Sequence, residues 1–190
     1  ARIKETGETL IFAEARLGDV LKGMEESAYE IVERMKGTDL VGKTYRPAYA
    51  FLPLVGEAHR VILGAHVTTE MGTGIVTTAP AFGEDDLVAG QAAGLPIAMT
   101  LDDEGKFVDA CTPFAGVPAK KADEAVIGDL QERGYLWRRE SITHSVAICW
   151  RCDTLLLFKA QPAWFVNVTK LKPAMLKTAD KIQWHPEHFK

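Results

Sequence analysis

Two short stretches concentrate the residue types that do chemistry. The first, residues 72–86, reads Gly-Thr-Gly-Ile-Val-Thr-Thr-Ala-Pro-Ala-Phe-Gly-Glu-Asp-Asp. Its glycine-rich turn at Gly72 and Gly74 lets a ligand approach the backbone closely. The hydroxyls of Thr77 and Thr78 follow on opposite faces of a strand-like run. Pro80 breaks that run, and Glu84, Asp85 and Asp86 crowd the start of a helix, where carboxylates complement the positive end of the dipole. Asp86 lies one helical turn in, placed to hold a cation such as an amino acid's ammonium group. Spacing alone favours a plainer reading, a β–α corner whose acidic turn satisfies the dipole. The stretch is not a phosphate-binding fingerprint, because no third glycine opens the helix and the carboxylates would repel phosphate.

The second stretch is Cys149-Trp150-Arg151-Cys152. Two thiols spaced Cys-x-x-Cys make half of a tetrahedral zinc site. The chain has no second such pair; Cys111 stands alone, and His185 and His188 are closer together than the usual zinc-finger histidines. A reduced structural pair and a redox dithiol are the alternatives, the latter without the βαβ context expected for it. Trp164-Phe165-Val166, beside a basic stretch, has the aromatics to stack on bases but reads more simply as core. No general base stands out: His59, His66, His144, His185 and His188 all fall outside the 72–86 stretch and read as surface or structural histidines.

These stretches need a scaffold, and the composition supplies one. The 190 residues are 47% apolar and 25% charged, as in ordinary globular domains. No run of about 18 apolar residues is present to span a membrane. Three cysteines make no disulfide framework and point to a reducing compartment. A first residue of Ala1 leads us to expect a piece of a longer protein. The net charge of −4 hides an asymmetry: residues 1–132 carry 12 Lys/Arg against 22 Asp/Glu, and residues 133–190 carry 10 against 4. Such polarity can mark a nucleic-acid contact at one end, though a solvated basic tail is the simpler account.

Period-two alternation and β-branched runs predict strands over residues 8–13, 29–35, 59–65, 74–79 and 95–101, with strands or extended connectors over 135–146 and 155–168. Residues 102–106 read as a hairpin turn. Helices are predicted over 15–23, after Gly83 up to Gly94, and over 123–133, the last with Val126, Ile127 and Leu130 on one side and Gly134 as its stop. Residues 170–190 read as a linker or the start of another domain. Strands outnumber helices without regular alternation. The expected fold is therefore α+β: a mostly antiparallel, partly closed, barrel-like sheet with peripheral helices.

Taken together, GTGIVTTAPAFGEDD, Leu95-Pro96-Ile97, residues 144–154 with CWRCDT, and PAWFV at 162–166 resemble the inserted editing domain (connective polypeptide 1) of the isoleucyl-tRNA synthetases. The resemblance runs from about Leu10 to the C-terminus. The pairing of Ala-Pro-Ala-Phe-Gly-x-Asp-Asp with CWRC about 60 residues later is specific to that family. The related valyl and leucyl enzymes usually carry a His-Asp pair where this chain has Phe82-Gly83.

The resemblance implies a class I synthetase's ester hydrolase, acting on valyl-tRNA(Ile); the alternatives are a tRNA 3′-end binding module that is inert when excised, and the editing domain of the related valyl or leucyl enzymes. A hydrophobic pocket separates substrates differing by one methylene by only about 1–3 kcal/mol, a magnitude for which isoleucyl-tRNA synthetase is itself the standard example. A second site must then destroy the smaller product. By the same resemblance Asp86 grips the ammonium of the misattached valine, Phe82 lies near its side chain, and Gly72 and Gly74 shape the adjacent backbone. Thr77 stands where the family usually has a histidine that bounds the pocket. Thr77 and Thr78 are the candidate catalytic hydroxyls beside Asp86. The family's threonine-rich strand is expected upstream of this chain.

Hydrolysis is expected to need no cofactor. Cys149 and Cys152 match half of a structural zinc site whose other cysteines lie outside the chain. The implied partners are the tRNA(Ile) 3′ end carrying valine and the rest of the synthetase, with no membrane, in the cytoplasm. Residues 1–145 form the expected editing core, and 146–190 the zinc half-site and connector toward the catalytic domain. The ATP-site motifs His-Ile-Gly-His and Lys-Met-Ser-Lys-Ser are absent, so this piece is expected not to activate isoleucine.

Overall fold

The computed structural model describes residues 1–54 and 56–189; Val55 in the expected editing core and Lys190 at the end of the expected connector lie outside the described residues. The chain divides into two units, Ala1–Ala160 and Gln161–Lys190.

In the larger unit the N-terminus forms a small antiparallel ribbon. β1 (Arg2–Ile3) pairs with β2 (Tyr29–Glu30), with Arg2 opposite Glu30 and Ile3 opposite Tyr29. Ile3 is buried with Val20 and Leu21, and Leu10, Phe12, Leu17 and Tyr29 pack around them. The helix expected at 15–23 is a 3-10 turn at Glu14–Arg16 running into a one-turn helix, α1 (Leu17–Val20). The last carbonyls of so short a helix lack intrahelical partners. The Asp19 carbonyl accepts weakly from Lys22 N–H at 3.4 Å, and Arg138 adds to it from Nη2 at 2.7 Å and donates from Nη1 to the Val20 carbonyl at 3.4 Å, to which Trp137 Nε1 donates as well.

Two predicted helices form close to their expected bounds. α2 (Glu84–Ala92) opens on three acidic residues and stops at Gly94, whose φ of +67° suits glycine. α3 (Asp123–Glu132) stops at Gly134, φ +71°. Asp129 on α3 accepts from Tyr49 Oη at 2.7 Å and from Arg133 Nη1 at 2.9 Å. Burial, and then the Asp129 carboxylate, push the Tyr49 phenol up to about 12. The Tyr49 hydroxyl bond, and then Arg133, hold the Asp129 carboxyl below the usual carboxylate range. Beside this cluster the rings of Tyr49, Phe51 and Phe107 surround the buried Phe114.

The hairpin turn at 102–106 is present. Asp102 N–H donates to the Lys106 carbonyl at 2.9 Å, and Asp102 Oδ1 accepts from the amides of Glu104 and Lys106. Its short polar side chain satisfies the turn backbone, as aspartate commonly does.

The mixed α+β class holds, but the partly closed barrel does not appear among the described residues. The only sheet there is the two-stranded ribbon. The other strand-like runs form no ladder; pairing is limited to isolated antiparallel bridges, among them Thr44 with Arg60, Leu101 with Phe107 and Ile148 with Leu155. Leu63, Ile75 and Val76 stay exposed. β-branched composition fits a half-buried pleated surface, but a ladder also needs a neighbouring strand in register.

The smaller unit contains a helix where a linker was one reading. α4 (Val168–Ala179) begins at Asn167, whose side-chain oxygen accepts from Lys170 N–H at 3.0 Å. Pro173 sits inside it. No helix among the described residues is long and apolar enough to cross a membrane.

Candidate functional site around Asp86

The acidic corner is fixed from both sides. Upstream, the N-terminal segment grips the glycine turn: Ala13 N–H donates to the Thr73 carbonyl at 2.8 Å, and Arg16 donates to the carbonyls of Glu70 at 2.9 Å and Gly72 at 3.1 Å. Gly72 and Gly74 have φ of +60° and +75°. A Cβ on Gly74 would lie 2.5 Å from Cβ of Ala13, so this position excludes any larger residue on two counts.

Downstream, the corner folds back on itself. Phe82 N–H donates to the Ala79 carbonyl at 2.8 Å, closing a turn over the buried Pro80 and Ala81. Asp86 Oδ2 accepts from Ala79 N–H at 3.1 Å. Gly83 makes that possible, since a Cβ there would stand 2.8 Å from the same oxygen. Gly90 lets α2 lie against the corner, because its Cβ would fall 2.6 Å from Pro80 Cγ. The Asp86 carboxylate is thus pinned by one oxygen at the positive end of α2, with the other still available.

That second oxygen, Oδ1, faces His66 Nε2 at 3.6 Å, with the two side chains 24% and 21% exposed for His66 and Asp86 respectively. Sequence reading set His66 aside with the other histidines. Nothing periodic joins positions 66 and 86; only the fold brings them together. Gly83 was likewise read only as the residue before the helix and not as the one that makes room for Asp86.

The remaining candidate residues are placed as follows. Thr77 is exposed and Thr78 half-buried, and neither hydroxyl has a hydrogen-bond partner among the described residues. Phe82 is half-buried directly ahead of Gly83 and α2. Cys149 and Cys152 lie apart from this corner in sequence, on a tight knuckle. Cys149 N–H donates to the Thr154 carbonyl at 2.8 Å, Asp153 N–H donates to the Cys149 carbonyl at 2.9 Å, and Asp153 itself takes a φ of 55°. Among the described residues no group of three or more His, Cys, Asp or Glu gathers as a metal site. The knuckle therefore offers two soft ligands of the four a zinc ion takes.

The two kinds of cysteine differ sharply. The hydroxyl and backbone of Thr154, and then Cys149, stabilise the thiolate of the exposed Cys152 and hold its thiol below the ordinary value. Burial pushes the Cys111 thiol up. The thiolate is the reactive form, so Cys152 gains reactivity at lower pH than a free cysteine and Cys111 at higher pH. Iodoacetamide labelling across pH 6–9, read by peptide mass, is expected to modify Cys152 first and to leave Cys111 unmodified in the folded protein. Equal labelling of the two would contradict these environments.

No family model matches the chain. Its sequence is 42% identical to the isoleucine–tRNA ligase of Clostridium tetani over 188 residues, covering 99% of this chain and 18% of that protein. It is 43% identical to the enzyme of Methanothermobacter thermautotrophicus over 182 residues, 95% of this chain and 17% of that protein. By sequence, the chain is homologous to a segment of the isoleucine–tRNA ligases. The cytoplasmic isoleucine–tRNA ligase of Arabidopsis thaliana matches at 37% over the whole chain and 19% of its own length. The chain thus spans less than a fifth of the length of these curated relatives. The Asp86 corner belongs to that ligase-related segment.

Proposed function

We propose that the chain is the editing domain of an isoleucyl-tRNA synthetase and hydrolyses the ester of valyl-tRNA(Ile). The observation that carries this reading is the Asp86 carboxylate, held by the Ala79 amide at the mouth of a glycine-rich corner in a segment homologous to the isoleucine–tRNA ligases. Asp86 accepts the ammonium of the misattached valine, which presents three donors. Phe82 borders the valine side chain, Gly72 and Gly74 let the backbone approach, and the hydroxyls of Thr77 and Thr78 orient the ester and the water. Water attacks the ester carbonyl, the bond from carbonyl carbon to ribose oxygen breaks, and the ribose oxygen takes a proton. Valine and tRNA(Ile) leave. Much of the rate comes from positioning.

The reading assigns no cofactor to hydrolysis. Cys149 and Cys152 would hold half of a structural zinc site completed by thiolates elsewhere in the full synthetase, where the metal would tie the knuckle to the rest of the protein. The tRNA(Ile) 3′ end and the remaining synthetase are the partners, in the cytoplasm. The reading also includes a mostly antiparallel, partly closed sheet in the full domain, of which the isolated bridges share only the antiparallel sense, and a boundary near residues 145 and 146 between editing core and connector.

The test is deacylation of valyl-tRNA(Ile) and isoleucyl-tRNA(Ile) by this chain, beside the full-length synthetase. Selective loss of the valyl ester is expected. Loss of neither ester, or of both at equal rates, would refute the reading for this piece.

A further inference from the structure

We infer that His66 is a positioning residue of the amino-acid site, fixing the Asp86 carboxylate from the side opposite Ala79. The inference rests on the editing reading for its consequence, and on the side-chain geometry for its substance.

The two oxygens of Asp86 face two different nitrogens. Oδ2 is bonded to the Ala79 amide at 3.1 Å, while Oδ1 faces His66 Nε2 at 3.6 Å. Nε2 is buried and has no hydrogen-bond partner among the described residues. A buried ring nitrogen without a partner is costly, and Asp86 Oδ1 is a few tenths of an ångström beyond bonding distance.

The turn that carries His66 is shaped for the ring. Val67 N–H donates to the Gly64 carbonyl at 3.1 Å, and a Cβ on Gly64 would lie 3.1 Å from His66 Cε1 and 3.0 Å from Val67 Cγ2. With the proton on Nε2, a small shift of the ring closes the gap, and His66 donates to Oδ1. Both carboxylate oxygens are then held, the group cannot rotate, and one lone pair on each oxygen stays free for an ammonium.

The experiment has two arms. In the kinetic arm, His66→Leu is expected to raise KM for valyl-tRNA(Ile) about tenfold with kcat within about twofold, the loss of one hydrogen bond to a charged group. His66→Gln, which keeps an amide N–H donor, is expected to recover most of that loss. A merely structural histidine would lower kcat and stability together and would not be rescued by glutamine. An unchanged KM in His66→Leu overturns the inference. In the spectroscopic arm, ring nitrogen shifts of 15N-histidine-labelled protein report the tautomer of His66. The Nε2–H form is expected, with an Nε2 shift that is displaced by the bond to Asp86 and returns to the free-imidazole value in Asp86→Ala; an Nδ1–H form, or an Nε2 shift unchanged in Asp86→Ala, overturns the inference. If the chain hydrolyses neither ester, the editing reading fails, and the tautomer arm alone decides the pairing of His66 with Asp86.

Discussion

Replacing Asp86 by asparagine is expected to lower kcat/KM for valyl-tRNA(Ile) hydrolysis by about 10–100-fold while moving the melting temperature by less than about 4 °C. The two effects separate because the residue has two separable jobs. Its structural job is to accept the Ala79 amide through Oδ2, and an asparagine carbonyl accepts the same bond. What stability is lost is the charge near the α2 N-terminus, about 0.3–1 kcal/mol, which for a chain of this size is a few degrees at most. The functional job proposed for it is charged. A hydrogen bond between an ammonium and a carboxylate contributes about 1.5–3 kcal/mol, which sets the range of the rate loss. Single-turnover deacylation and a thermal melt on the same preparation give both numbers. Full activity in Asp86→Asn would remove Asp86 from the site, whereas equal collapse of activity and stability would reduce it to a structural cap.

The largest effect on stability is expected at Phe114. Its ring is 4% exposed and meets Tyr49 edge-on at 5.6 Å, Phe51 edge-on at 6.1 Å and Phe107 tilted at 6.0 Å. These separations lie within the range in which edge-to-face ring pairs add to simple burial. Phe114→Ala removes the shared partner of three rings and leaves a cavity between them, at a cost of about 3–5 kcal/mol. Denaturant unfolding should show that loss with little change in slope. Phe114→Leu, which keeps most of the volume, should lose much less. A cost below about 1 kcal/mol for the alanine variant would mean that the rings close over the gap and that Phe114 is not the hub of the cluster.

What could be read from the sequence was whatever is decided locally. The acidic start of α2, its glycine stop, and the glycine stop of α3 lie within a few residues of the backbone groups they satisfy, and both helices form close to their expected bounds. The turn at 102–106 is equally local, since Asp102 answers its own loop. α4 was obscured because Pro173 and three lysines break its pattern, while its start depends on one asparagine side chain. The strand-like runs misled for the opposite reason: a single segment carries the preference for extended backbone but not the identity of its neighbour. The candidate site was half legible. Its candidate residues between Gly72 and Asp86 lie on one continuous stretch, so one reading of that stretch takes them all in. His66 is brought in by a separate turn, and no spacing rule links a histidine in one turn to a carboxylate twenty residues on.

The bonds from Trp137 and Arg138 to the end of α1 also bear on the order in which the chain assembles. They join residues 117 to 119 positions apart, so a ribosome must deliver the larger unit, which ends at Ala160, as far as Arg138 before the end of the first helix receives these partners. Closing so long a loop costs entropy that nearby pairings do not pay, although the increment is only about 0.6 kcal/mol per doubling of length. The 102–106 hairpin and α3 close over a handful of residues and can form while synthesis continues. The N-terminal ribbon and α1 would then wait, partly open, for residues 137 and 138 to arrive. Truncations ending before Trp137 should leave that region exposed to proteases, and extension through Arg138 should protect it.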